Sequence, residues 1–311
     1  MSARAWTYFG IVSFLWGIPY LFIKVAIDDG VPPGFLAWAR VVLGAVVLLL
    51  ICWRTGLLSS LRGRWRALAP YAVVEIAIPF PLIGAGEQYV SSSIAAILIA
   101  AVPLIVALLA LRFDATERVT GSRLCGLLVG LAGVVALVGV DIAGSADELL
   151  GAALIGIAAV GYAAGPMYLR NRLSDMDPRA LMAGSLIIAS VVLTPFAAAD
   201  LPDAGVSADA ILSIVVLGVF CTAAAFVFFG ALVIDVGAGR ALVITYVAPI
   251  VAVIAGVAVL DERPGPGSLA GLALILVGSW IATRGRPSEP GSPPEPRSAP
   301  AAASSPPARS S

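Results

Sequence analysis

Histidine is absent from this 311-residue chain. Its absence excludes histidine metal sites and histidine-based catalytic dyads. Cysteine is scarce: Cys52, Cys125 and Cys221 fall in or beside apolar runs, without CxxC spacing. Three such residues give no disulfide framework and no thiolate metal site, and they read as small buried hydrophobes. Charge is scarce too, at 12% of residues, about half the share in an ordinary soluble domain. No HExxH or GxGD motif occurs, nor a pair of aspartates within an apolar run. These absences argue against an intramembrane enzyme and leave no catalytic, cofactor-binding or metal-ligating set to name. Nothing points to a nucleic-acid partner.

What is present is apolar surface. The chain is 60% hydrophobic with mean hydropathy +1.00, more than a compact soluble core could hide. A bilayer core of about 30 Å needs about 20 mostly apolar helical residues. Ten segments qualify: 6–26, 33–53, 67–86, 93–111, 122–140, 150–169, 180–198, 210–230, 238–259 and 268–283. The first mimics a signal peptide, but it carries Trp16, Pro19 and Tyr20, lacks a small-x-small cleavage site and ends in Lys24; it reads as a span. From Gly285 the composition turns to Pro, Ser and Ala, which predicts a disordered tail over 285–311.

The arginines orient the map. With the N-terminus in the cytoplasm, sixteen of the nineteen basic residues fall in cytoplasmic segments; Arg263 falls outside, and Lys24 and Arg40 fall within spans. The external connections carry Asp28, Asp29, Asp141, Asp147, Glu148, Asp200, Asp203 and Asp209. An even number of spans with both termini cytoplasmic accounts for this sorting. The expected setting is the inner or plasma membrane, multi-pass.

A repeat underlies the ten segments. An offset of 146 links Trp16 to Tyr162, Lys24 to Arg170, Pro32 to Pro178 and Pro103 to Pro249. An offset of 145 then links Glu117-Arg118 to Glu262-Arg263, Gly126 to Gly271 and Gly133 to Gly278. The predicted fold class is therefore an all-α polytopic membrane protein, ten transmembrane helices as two inverted five-helix repeats, with units at 1–140 and 141–284. Five is odd, so the second copy enters the membrane from the opposite side. Inverted repeats are a transporter architecture, with the site near the midplane between the halves.

Ionisable residues within a membrane are expensive and mark function by default. Arg40 lies seven residues into the second span, about 10 Å deep. Glu75 lies near the middle of the third, Glu87 at its outer end, and Lys24 at the outer end of the first, where it can snorkel. Arg40 needs an anion: either Glu75, in a static pair joining two spans, or a substrate carboxylate or phosphate. Their repeat counterparts, Leu186 and Cys221, are uncharged, so symmetric scaffolding does not demand the charges. Pro103 and Pro249 sit mid-segment at equivalent positions, where a freed carbonyl is tolerated in protein or beside a watery cavity. Trp16, Tyr71, Phe80, Tyr162 and Tyr246 are aromatic lining candidates, with packing as the plainer alternative. Gly126, Gly130, Gly133, Gly271 and Gly278 read as close helix contacts.

The segments FLWGIPYLFIKVAI (14–27), EQYVSSSIAAILIAAVPLIVALLA (87–110) and ERVTGSRLCGLLVGLAGVVAL (117–137) resemble the first EamA-type repeat of the drug/metabolite transporter superfamily. Residues 241–281 repeat the Pro…Glu-Arg…Gly…Gly pattern. The resemblance spans residues 6–283 and departs at Tyr162-Ala163, where the second half lacks the Trp16-Gly17 pair of the first. It implies ten helices with internal pseudo-symmetry and movement of small metabolites, often amino acids outward, with Trp16, Gly17, Lys24 and Arg40 matching family positions. The expected function is secondary transport by alternating access, with export of a small polar or amphipathic solute. A lipid flippase, a passive pore or a non-transporting scaffold stay open as alternatives. The expected partners are that solute and membrane lipid. If transport is proton-linked, the carrier is a carboxylate, Glu75 first and Glu87 second. Substrate, direction and oligomeric state are not legible in the sequence.

Overall fold

The computed structural model describes residues 1–113, 121–202 and 205–283, and among these no strand occurs. The Glu117-Arg118 pair, Asp203 and the tail lie outside the described residues. Helix α1 spans Ala3–Asp28 and is interrupted at Ile18, ahead of Pro19. Helices α2 (Pro33–Arg54) and α3 (Trp65–Glu87) follow. Helix α4 comes in two pieces, Ser92–Ile99 and Val102–Phe113. Helix α5 is Gly121–Leu137, extended by a π-helical turn Val138–Ile142. The second half holds α6 (Ala146–Arg172), α7 (Pro178–Ala199), α8 (Ala208–Val236), α9 (Ile244–Val259) and α10 (Pro266–Thr283). Eight of these are long and apolar enough to cross a membrane; α9 and α10 are shorter apolar helices.

Short polar residues set the starts. Ser91, Ser145, Asp177 and Ser207 each accept an amide hydrogen bond at the N-terminus of α4, α6, α7 and α8, which satisfies donors that hydrocarbon cannot. Pro33 and Pro178 occupy first-turn positions, where a missing N–H costs nothing.

Successive helices run in alternating directions between two ends, called here the Asp28 end and the Arg54 end. The packing joins the halves rather than separating them. Helix α2 lies along α7 and α5 along α10, each pairing repeat-equivalent helices. Helix α1 packs against α8 and α9, while α6 packs against α3 and α4, so each half lends its first helix to the other. The glycines expected at close contacts are at the α5–α10 seam. A Cβ on Gly278 would stand 2.6 Å from the Gly126 carbonyl oxygen, and one on Gly133 would stand 2.8 Å from that of Gly271. No side chain fits there, and backbone-to-backbone approach is what holds such a seam in lipid.

Besides the π-helical turn of α5, two further helices depart from α geometry, and these two do so at repeat-equivalent places. Helix α3 has a π-helical stretch at Val73–Ala77, and α8 has one at Val216–Ala224. Glu75 and Cys221, related by the 146 offset, lie inside them. Wide turns of this kind cluster at functional sites.

Candidate functional site

Arg40 is buried, with 8% of its surface exposed. Its Nε donates to Thr222 Oγ1 at 3.0 Å, and its guanidinium carbon lies 4.0 Å from the Phe80 ring centroid. Both partners come from irregular helix. Thr222 stands in the π-helical stretch of α8, with its hydroxyl donating in turn to the Leu217 carbonyl at 2.8 Å. Phe80 follows the π-helical stretch of α3 and the Pro79 that starts the next piece. Gly218 brings α8 close enough that a Cβ would come 2.9 Å from the Arg40 carbonyl. Stacking and the hydroxyl fix the plane of the cation. Thr222 is nevertheless neutral, so the positive charge stays uncompensated by a direct ion pair among the described residues.

The static Arg40–Glu75 pair is not formed. Arg40 is turned to α8, and the charged or ionisable groups within its electrostatic reach are Tyr162, Cys221, Tyr20 and Glu87. Glu75 faces α6 instead. A Cβ at Gly165 would overlap its carboxylate, and Oε2 is buried without a hydrogen-bond partner among the described residues. Tyr162, one turn from Gly165, lies within reach of both Arg40 and Glu75, and Tyr71 lies beside Glu75. By helical rise, Tyr20 and Arg40 lie about 10–12 Å from the Asp28 end, and Glu75 and Tyr162 about 15 Å from the Arg54 end. The group straddles the middle of the bundle. Tyr20, Glu75 and Tyr162 are half-buried, not sealed.

At the Asp28 end Glu87 is fully buried, and neither carboxylate oxygen has a hydrogen-bond partner among the described residues. Lys24 does not bond to that carboxylate. Its Nζ donates to the Glu87 main-chain oxygen at 2.9 Å and pairs with Asp28 at 3.0 Å.

The remaining candidates lie apart from this group. Trp16 packs edge-on to Phe226 and tilted against Phe229, in an apolar cluster with Val12 and Leu232. Tyr246 donates to the Ser279 carbonyl of α10 at 3.4 Å. Pro103 is not mid-helix: α4 breaks at Ala100–Ala101, and Pro103 opens the second piece. Pro249 sits buried within the unbroken α9. The repeat symmetry of the two prolines is therefore not a symmetry of helix breaks, because the turn on the α9 side lies ahead of the helix, at Leu242–Val243.

Sequence reasoning missed two carboxylates that join the halves. Glu262 Oε1 accepts from the Ser92 amide at 2.8 Å and Oε2 from the Ser93 amide at 3.0 Å and the Ser93 hydroxyl. Asp141, expected in an external connection, accepts from the Gly267 amide at 3.1 Å and from the Ser268 amide and hydroxyl at 2.6 Å each. Glu262, after α9, caps α4, and Asp141, in the π-helical turn that ends α5, caps α10.

Two copies of one family model account for nearly all of these helices. The EamA-like transporter family model matches residues 5–139 and again 149–284. The chain belongs to the EamA-like transporter family. An "uncharacterized transporter" of Archaeoglobus fulgidus is 26% identical over 291 residues, covering 91% of this chain and all of that one. A "probable amino-acid metabolite efflux pump" of Escherichia coli is 24% identical, covering 87% and 92%. A solved crystal structure matches with a TM-score of 0.66 at 20% identity, over 91% of this chain and 97% of that one, which supports the fold. As an EamA-like protein with eight helices among the described residues long and apolar enough to cross a membrane, the chain is a multi-pass membrane transporter.

Proposed function

We propose that this protein is a secondary transporter that exports a small amino-acid-like or other polar metabolite by alternating access through ten spans. Tyr20, Arg40, Glu75 and Tyr162 form its solute site. The observation that carries the reading is the separation of charge in the middle of the bundle. A buried guanidinium is held by neutral partners, and a buried carboxylate oxygen is left without one. Isolated buried charges cost several kcal/mol each, so a protein without a ligand for them gains by pairing them or deleting them. A solute carrying an anionic group for Arg40 and a cationic or donor group for Glu75 satisfies both. The E. coli relative's name supports the solute class. The arginine distribution supports a cytoplasmic Arg54 end and cytoplasmic termini.

The test is a thermal-shift screen of small metabolites against the purified protein, followed by counterflow in proteoliposomes. A stabilising solute should exchange across the membrane. Arg40→Ala should weaken its binding by about 30-fold or more, the effect of removing one partner of a buried charge pair. Exchange at unchanged affinity in Arg40→Ala would remove Arg40 from the site.

A further inference from the structure

Glu262 stands in the connection between α9 and α10, yet it closes the start of α4 in the other half. Ser92 and Ser93, which it holds, are both fully buried. Gly256 brings the α9 backbone against the same spot: a Cβ there would come 2.7 Å from Ser93 Oγ and 2.9 Å from Ser92 Oγ. The first piece of α4 packs on α9, and also on α6 and α10, which its second piece shares. At the Asp28 end, then, α4 and α9 are clasped together, and the clasp is a carboxylate on two amides and a hydroxyl. Hydrogen bonds to a charged group are about twice as strong as neutral ones.

Glu87 ends α3 four residues before Ser91, the cap of α4, and lies within electrostatic reach of this clasp. The charged and ionisable groups within its electrostatic reach are Tyr20, Lys24 and Asp28 from α1, Arg40 from α2, and Glu262. Helix α6 brings Gly151 and Ile155 to the same turn of α3, and α4 brings Ser92 and Ser93. An ionised Glu87 in this arrangement would be a charge without a donor, next to a second carboxylate. The neutral acid carries neither penalty.

We propose that Glu87 is a proton-binding site that works the gate at the Asp28 end. With the proton on, the Glu262 clasp holds α4 to α9. When the proton leaves to water entering from that end, the new charge repels Glu262, draws Lys24 and water toward itself, and releases Ser92 and Ser93. The proposal rests on the alternating-access reading and supplies the element that couples a pH gradient to it.

The experiment places nitroxide labels on Tyr89→Cys and Val259→Cys in the full chain, with Cys52, Cys125 and Cys221 replaced, and measures the distance between them in lipid nanodiscs across pH. The parent should show a short distance in acid and a longer population as pH rises. Glu87→Gln should stay short at every pH, and Glu262→Gln should populate the longer distance even in acid. Glu87→Asp, which keeps an ionisable group, should keep the transition with a displaced midpoint. A parent that ignores pH, or a Glu87→Gln protein that still opens, overturns the proposal. No solute is needed for this readout, so failure of the metabolite screen would count against the transport reading and leave the gate result standing.

Discussion

The α5–α10 seam makes a quantitative claim about one methyl group. In Gly278→Ala the new Cβ would sit 2.6 Å from the Gly126 carbonyl oxygen and 2.6 Å from the Gly130 Cα. Both are backbone atoms and neither can rotate away. The two helices must part by several tenths of an ångström along their length. Gaps of 0.5–1 Å already forfeit about a quarter to a half of a dispersion contact, and overpacking of a tight core costs about 1–3 kcal/mol. Alanine's better helix propensity returns about 0.5–1 kcal/mol. The net loss is about 0–2.5 kcal/mol, centred near 1 kcal/mol, which is roughly 5-fold in the folding equilibrium. The matched control is Gly156→Ala in α6, where nothing lies within 4 Å of the new Cβ; that protein should be as stable as the parent or slightly more so. Steric-trap unfolding in bicelles measures both. If Gly278→Ala matches or exceeds Gly156→Ala, the seam is not held by backbone contact and the account of α5 and α10 fails.

Three further outcomes are expected. Reporter fusions after Asp141 and after Gly285 should read periplasm and cytoplasm respectively, and the reverse pattern would refute the orientation. Glu75→Gln should weaken solute binding and slow counterflow in proteoliposomes while leaving the pH-dependent opening at the Asp28 end in place; unchanged solute affinity in that variant would make Glu75 structural. Asp177 caps α7 outside the apolar stretch, and hydrogen bonds from the Arg179 side chain hold its carboxyl below the usual carboxylate range. A depressed folded value means that its stabilisation is present above the unfolded carboxylate range and is lost as pH falls through the folded value. Asp177→Asn should therefore remove that acid-sensitive part, a contribution of about 1 kcal/mol at most for so exposed a pair, seen as a flatter stability profile in acid.

The fold was legible because lipid enforces simple rules. Span length and a fixed repeat offset each follow from one physical constraint, and most described helices fall within a few residues of the predicted segments; α8 runs on to Val236 and α9 starts only at Ile244. Arg40 and Glu75 were legible as costly residues, but not as unpaired ones. Depth along a helix follows from residue count, whereas the direction a side chain faces depends on the π-helical stretches in α3 and α8, whose composition is that of ordinary apolar helix. Trp16 and Tyr246 matched in type and depth, but their helices turn them to Phe229 and Ser279. Glu262 was visible only as a repeat marker. The clue to its role was the run Ser91-Ser92-Ser93, a helix start with no acid of its own in the first turn.

The exchange of α1 and α6 between halves bears on how the chain is made. A ribosome delivers α1 through α5 first, and at that moment the groove on α3 and α4 has no α6 to fill it. The Glu75 carboxylate, later covered at Gly165, then faces lipid or whatever chaperone shields it. The first half should therefore wait, unfinished, until the sixth helix is threaded, and α1 in turn waits for α8 and α9. Severed at residues 143–145, the two pieces should be degraded when produced singly and accumulate when produced together.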